Sequence, residues 1–243
     1  MFSVSRIKQF NVGVCFISRY CTVAKRPEIK LQYRLVPEDC YNAVMKHLRQ
    51  NYFVEEPISK SVRLYKCGST HKEIEKLCLQ VLRNNLSIMA LNEKDELAGV
   101  VLNSPLTRDD FKKAKWELES NRDETFKKIL NFFYKFNTKT DMFNYFKVNK
   151  IFNANVVSVD GNFRGKGVSK NLLKYSEQLA KEQGFKVMKA EATGIFSQKI
   201  FKTAGFKLFH EQFYNRYVDE YDEPILPVEL PDTKIQLVYK LLK

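Results

Sequence analysis

The chain has 243 residues, 44% of them hydrophobic, and its 41 Lys and Arg outweigh 28 Asp and Glu to give a formal charge of +13. That is enough apolar material for a substantial core, and no Pro-, Gly- or Ser-rich linker divides it. The charge is compatible with nucleic-acid binding, but no such motif accompanies it, and no apolar run reaches the length that spans a membrane.

Residues 1–30 hold six basic residues against Glu28 and so supply +5 of the total. Residues 1–27 contain no acid, and their Arg, Lys, Ser and apolar residues resemble a mitochondrial presequence. The alternative is an N-terminal extension with no targeting value. In either case residues 1–30 stand outside the fold and 31–243 form the domain. The five cysteines (Cys15, Cys21, Cys40, Cys67, Cys78) are scattered and make no C-x-x-C pair, which points to a reducing compartment such as the cytoplasm. Three histidines without an H-x-x-x-H pair give no metal site.

Leu31–Val36 alternates as a strand, and Pro37-Glu38-Asp39 opens a helix running to about Gln50. Asn51–Ile58 reads as an apolar-acidic loop, in which Pro57 disfavours a helical Glu56. A helix over about His71–Asn84 follows. The strands Leu86–Leu91 and Leu97–Asn103 make a hairpin around Asn92–Asp95. Asp109–Asn144 is charged and aromatic, with Phe126, Ile129, Leu130, Phe133 and Phe136 at helical spacing, a pattern of core packing. Ala154–Asp160 is a strand, and from Val168 to Gln183 apolar residues recur at helical spacing. Phe185–Ala192 is a strand, a short helix ends at Gly205-Phe206, and Lys207–Val218 resumes strand. An acidic loop, Asp219–Asp232, leads to a last strand at Ile235–Leu241.

Between the central strand and its helix lies Arg164-Gly165-Lys166-Gly167-Val168-Ser169. A strand that passes through a glycine-rich turn into a helix collects unpaired backbone N–H groups and the positive end of the helix dipole at one point. Such a turn is a cradle for an anion, best suited to phosphate. Arg164 and Lys166 add positive charge there. The pattern is neither a dinucleotide fingerprint nor a P-loop, and the plain alternative is a strand–helix connection with turn glycines.

This order of elements, with its R-x-x-G-x turn and its helix ending in Gly-Phe, resembles the GNAT acetyltransferase superfamily. More closely it resembles the insect arylalkylamine N-acetyltransferases. The second step is carried by Phe53-Val54-Glu55-Glu56-Pro57, Ser158-Val159-Asp160, Asn162-Phe163-Arg164-Gly165-Lys166-Gly167, and Ser197 eight residues before Gly205-Phe206. The resemblance implies an α/β fold with a mixed sheet flanked by helices, and acetyl-coenzyme A as co-substrate. Its pyrophosphate would lie on Arg164–Ser169, and backbone groups at Val157 and Val159 would meet its pantetheine arm. The strand from Phe185 would splay away to admit the thioester. Glu56 matches the proposed general base. Two departures stand out: Ser169 occupies a position commonly Gly or Ala, and where the family often has two serines and a tyrosine this chain has Thr193, Phe196 and Ser197, of which only Ser197 is unchanged. That leaves Thr193 and Ser197 as hydroxyl candidates and no tyrosine acid.

An alkylammonium has a pKa near about 10, and only the free amine attacks a thioester. A base is therefore needed, and Glu56 supplies one if burial raises its affinity for a proton. Ser197 or a water would return a proton to the leaving thiolate. A bland alternative exists for each, a solvated loop acid for Glu56 and a helix cap for Ser197. The resulting expectation is a monomeric enzyme acetylating a small arylalkylamine such as dopamine, serotonin or tryptamine. Its rivals are another GNAT activity on polyamines or protein amines, and a non-catalytic acyl-coenzyme A-binding protein. The loop Asp219–Asp232 carries six acids and no Lys or Arg, either to draw a cationic amine to the acceptor side or to pair with nearby lysines.

Overall fold

The computed structural model describes residues 30–65 and 70–243. The basic segment 1–27 therefore lies outside the described residues. A seven-stranded mixed sheet forms the frame, in the order β1-β2-β3-β4-β5-β7-β6. Its strands are β1 (Gln32–Leu35), β2 (Ile88–Leu91), β3 (Leu97–Thr107), β4 (Lys150–Val159), β5 (Val187–Ala192), β6 (Lys207–Phe213) and β7 (Lys234–Leu241). All neighbours are antiparallel except β4 and β5. The helices are α1 (Tyr41–Asn51), α2 (Pro57–Ser61), α3 (Lys72–Leu82), α4 (Arg108–Ser120), α5 (Glu124–Thr138), α6 (Met142–Phe146), α7 (Val168–Glu182) and α8 (Ile195–Thr203).

The alternation of side chains along each strand sorts the core into two layers. On one face Phe152 and Ala154 of β4 pack with Val168, Leu172 and Leu173 of α7 and Phe201 of α8. The opposite face carries two clusters. Val44 and Leu48 of α1 and Leu82 of α3 cover β2, β3 and the far end of β4, while Ile129, Phe132 and Phe136 of α5 cover Val187 of β5 and Leu237 of β7. Each fully buried Phe or Leu of this kind contributes about 1.5–3 kcal/mol relative to exposure.

Four sequence expectations need correction. The Asn51–Ile58 loop leads into a helix, α2, that Glu56 caps. Asp109–Asn144 divides into α4, α5 and α6, because Asn121 turns extended and Asp123 and Asp141 each accept a backbone N–H from a new first turn. The hairpin partner continues as β3 to Thr107, where Asp110 accepts the Thr107 N–H at 2.8 Å. β6 ends at Phe213, where Tyr214–Arg216 forms a 3₁₀ turn in place of continued strand.

Candidate active site

β4 and β5 pair in parallel only at Phe152–Met188 and Asn153–Lys189 among the described residues. Beyond Asn153 the two strands diverge and leave a wedge in the middle of the sheet. On its other side β4 stays paired with β3 as far as Val159, across one irregularity: Leu102 faces Val156 and Asn103 faces Ala154, so Asn155 is the extra residue of a bulge. Asp160 donates its N–H to the Ala98 carbonyl at 3.0 Å. By the alternation of an antiparallel ladder, Ser158 and Asp160 turn their backbone groups to β3, and Val157 and Val159 turn theirs into the wedge. At the apex Lys189, 2% exposed, binds Glu191 at 2.5 Å and Asn137 at 2.6 Å, so its charge is buried with partners.

The turn at Arg164–Ser169 lies at the wide end of the wedge. Gly165 and Gly167 hold φ at +72° and +79°, the left-handed region. Gly167 is the N-cap of α7, which directs the first N–H groups of that helix, from Val168 and Ser169 onward, out of its N-terminus. Val168 itself is buried and anchors the helix in the core. Nothing lies within 4 Å of a Cβ built on Gly167, so the turn faces open space.

The two cations of the turn point elsewhere. Arg164 donates from Nε to the Val159 carbonyl at 3.1 Å and from Nη2 to the Asn51 carbonyl at 3.3 Å, and it meets Glu55 at 2.9 Å. Lys166 reaches back to the Asn162 carbonyl at 2.7 Å and lies over the Phe163 ring. Arg164 therefore braces the turn against the end of α1. A second link joins the same elements: His47 Nε2 lies 2.9 Å from Ser158 Oγ, and Asn51 Oδ1 accepts the Gly161 N–H at 3.3 Å. Burial pushes the His47 imidazole down to about 4, the largest influence on it, so it is neutral at ordinary pH.

Glu56 is 8% exposed, and its carboxylate is engaged as a helix cap. Oε1 accepts the Ile58 N–H at 3.2 Å and Oε2 the Ser59 N–H at 2.7 Å. Ser197 is the third residue of α8. Its hydroxyl donates to the Gly194 carbonyl at 2.8 Å and accepts the Gly194 N–H at 3.1 Å. The capping position belongs to Gly194, and Ser197 supplies the reciprocal bond from inside the helix. The Thr193 carbonyl accepts a 2.6 Å bond from Tyr214 Oη. Pro57 Cγ stands 2.9 Å from the point a Cβ on Gly194 would occupy. The structure thus brings Glu56, Thr193 and Ser197 to one junction.

Two tyrosines that sequence reasoning passed over sit at that junction. Burial raises the phenol pKa of Tyr52 and of Tyr214, and the charge of Glu56 raises both further. No tyrosine stands in the segment Thr193–Ser197, yet Tyr214 reaches it from the end of β6. A cavity of about 950 Å³ opens beside the Glu56 turn, lined in part by Phe53, Ser59, Lys60, Arg63, Tyr65 and Glu229. Its rim is more basic than the acidic loop led us to expect. Glu229 pairs with Lys60 at 3.4 Å, Asp219 Oδ1 accepts the Tyr221 and Glu223 N–H groups, and Asp232 caps α8. Half of the six loop acids therefore have structural partners.

The acetyltransferase (GNAT) family model matches residues 41–206. The chain belongs to the GNAT acetyltransferase family. This GNAT protein is 39% identical to the solved arylalkylamine N-acetyltransferase 2 of Aedes aegypti, with a TM-score of 0.85 over 88% of this chain and 99% of that one. The mosquito arylalkylamine N-acetyltransferase-like 5b is 21% identical over 88% and 100%, with a TM-score of 0.80. The Drosophila melanogaster polyamine N-acetyltransferase that forms N-acetylagmatine is 18% identical over the same shares, also at 0.80. The last two share the fold. GNAT enzymes take acetyl-coenzyme A as acyl donor, and the resemblance read from the sequence is thereby established at the level of the family.

Proposed function

We propose that this GNAT acetyltransferase moves the acetyl group of acetyl-coenzyme A to the primary amine of an arylalkylamine of the dopamine, serotonin or tryptamine kind. The observation that carries this reading is the 39% identity to the Aedes aegypti arylalkylamine enzyme over nearly all of that chain. Likeness to the polyamine enzyme at 18% identity speaks for the fold alone.

The N–H groups at the start of α7 and the open turn at Gly165–Gly167 suit a pyrophosphate, with Val168 and Ser169 as the first donors. The backbone of Val157 and the N–H of Val159, facing the wedge, suit the amide-bearing pantetheine arm, while the Val159 carbonyl is taken by Arg164. Arg164 and Lys166 act in this reading by shaping the turn. The thioester then lies in the wedge, and the amine reaches it from the Glu56 side.

Glu56 accepts a proton from the ammonium, directly or through a water, and the freed nitrogen attacks the thioester carbonyl. An N–C bond forms and the C–S bond breaks. Backbone donors on β4 stabilise the charge on the carbonyl oxygen, and the second proton of the attacking nitrogen passes through Ser197 or a water to the leaving thiolate, which leaves that relay as it began. Thr193 contributes through its backbone, which Tyr214 holds in place.

The test is kcat/KM with acetyl-coenzyme A for dopamine, serotonin, tryptamine, spermidine and a peptide amine. Arylalkylamines should exceed the other two by at least about tenfold, the discrimination that one apolar pocket contact provides. Turnover confined to spermidine or the peptide overturns the substrate class and leaves the family intact.

A further inference from the structure

Gly194 is buried where three distant segments meet. A Cβ built on it would stand 2.8 Å from Asp232 Oδ1 as well as 2.9 Å from Pro57 Cγ. Both distances are shorter than a real Cβ tolerates, so the Glu56-Pro57 turn, the start of α8 and the end of the β6–β7 loop close around a place only glycine fills. A glycine has no side chain with which to cap its helix. Asp232 does this from 37 residues away, its Oδ1 accepting the Ile195 N–H at 2.7 Å. Tyr214 closes the junction from below through its bond to the Thr193 carbonyl, and the charges of both Glu56 and Asp232 bear on its phenol.

We propose that Asp232 is a positioning residue for acetyl transfer: by holding the N-terminus of α8 against Pro57, it fixes the Ser197 hydroxyl and the Thr193 turn relative to the Glu56 carboxylate. The proposal rests on the roles given to Glu56 and Ser197 above. Its physical basis is linkage through short connections. Pro57 follows Glu56 directly, and the Ser197 hydroxyl makes both of its bonds to Gly194, so a displacement at Gly194 reaches both groups. Asp232 is engaged with the Ile195 N–H and is assigned to neither reactant, so its effect falls on the rate of the step and spares acetyl-coenzyme A binding, which this reading gives to the α7 turn. The loop residue thereby has a task unrelated to drawing cations toward the protein.

The experiment compares Asp232→Ala, Asp232→Asn, Gly194→Ala and Glu56→Ala in the full chain, reading kcat and the KM of each substrate. A misplacement of about 1 Å costs on the order of 100-fold in rate. Asp232→Ala and Gly194→Ala should accordingly lower kcat by about 10- to 100-fold with the KM for acetyl-coenzyme A unchanged. Asp232→Asn keeps an oxygen that accepts the Ile195 N–H and should recover most of the rate. Equal losses in Asp232→Ala and Asp232→Asn, or a loss expressed wholly in the KM for acetyl-coenzyme A, overturn the proposal. An inactive Glu56→Ala beside a full-rate Asp232→Ala overturns the proposal alone. A Glu56→Ala protein with wild-type rate overturns the Glu56 reading and the proposal with it.

Discussion

Arg164 and Glu55 stand 109 residues apart in sequence and form a two-pronged pair, 3.1 Å from Nη1 to Oε1 and 2.9 Å from Nη2 to Oε2. The pair fastens the glycine turn to the residue immediately before Glu56. Their side chains are 45% and 55% exposed, so the ion pair contributes at most about 1 kcal/mol to stability. Its consequence is positional, since it ties the glycine turn to the segment that leads into Glu56.

Arg164→Ala and Glu55→Ala should therefore change the melting temperature little and raise the KM for acetyl-coenzyme A, Arg164→Ala by the larger factor because it also removes the bonds to the Val159 and Asn51 carbonyls. The double variant should be no worse than Arg164→Ala alone, because Glu55 acts on the turn through Arg164. A Glu55→Ala protein with the wild-type KM would show that the ion pair does not hold the turn.

Glu56 caps α2 and is proposed as the base, and two substitutions separate the roles. Glu56→Gln retains an oxygen for the Ile58 or Ser59 N–H but takes up no proton. It should hold stability while losing about 10²–10⁴-fold in rate near neutrality. Glu56→Ala should lose the rate and, in addition, about 0.5–2 kcal/mol of stability. In both, part of the rate should return at high pH, where free amine is abundant. A loss that is flat across pH assigns the proton transfer elsewhere.

Gly167 holds a φ of +79° beside open space, so a side chain there strains the backbone and would fill the space proposed for the phosphates. Gly167→Val should cost about 1–2 kcal/mol of stability and sharply lower affinity for acetyl-coenzyme A by calorimetry. Gly167→Asn separates the two effects, because Asn tolerates the left-handed region. It should fold near normally and still bind weakly. Wild-type affinity in a folded Gly167→Asn would remove the phosphate assignment.

Acid should loosen α1 from β4 through His47. Its folded pKa of about 4 lies below the usual 6.5, so between these values the unfolded chain binds the extra proton. Stability is full above about pH 6.5 and falls as pH drops toward 4, by about 3 kcal/mol for this group. Denaturant melts at pH 7 and 4.5 measure it. His47→Gln should shrink the difference between the two, and an unchanged difference would place the acid sensitivity elsewhere.

The central strand, turn and helix were legible because each carries its own local signal: β-branched alternation, two glycines, and an apolar stripe from Val168 to Ala180. Glu56 was legible as a residue but its cap was not, since α2 is five residues long and shows no period. The division of Asp109–Asn144 was hidden because the aromatic stripe of α5 dominates a stretch whose breaks rest on single caps at Asp123 and Asp141. Arg164 and Lys166 were read as phosphate partners from their place in the motif. Arg164 is turned aside by Glu55 and the Asn51 carbonyl, more than 100 residues away, contacts that no local spacing encodes, while Lys166 folds back on the Asn162 carbonyl of its own turn. Asp232 was read as one acid among six, and only the fold sets it at Ile195.

Two rungs join β4 to β5, whereas β3 and β4 are laddered along nine positions and β5 and β7 along six. Mechanically the sheet is a book: β1 to β4 make one leaf, β5 to β7 the other, and the spine is the short seam at Phe152–Asn153, with the Phe152 and Phe185 rings edge to face at 5.2 Å beside it. Changing the angle between the leaves breaks no ladder within either one. The resistance to opening comes from the two core clusters that take residues from both leaves, one holding Phe152 with Met188 and the other Ile151 with Val187.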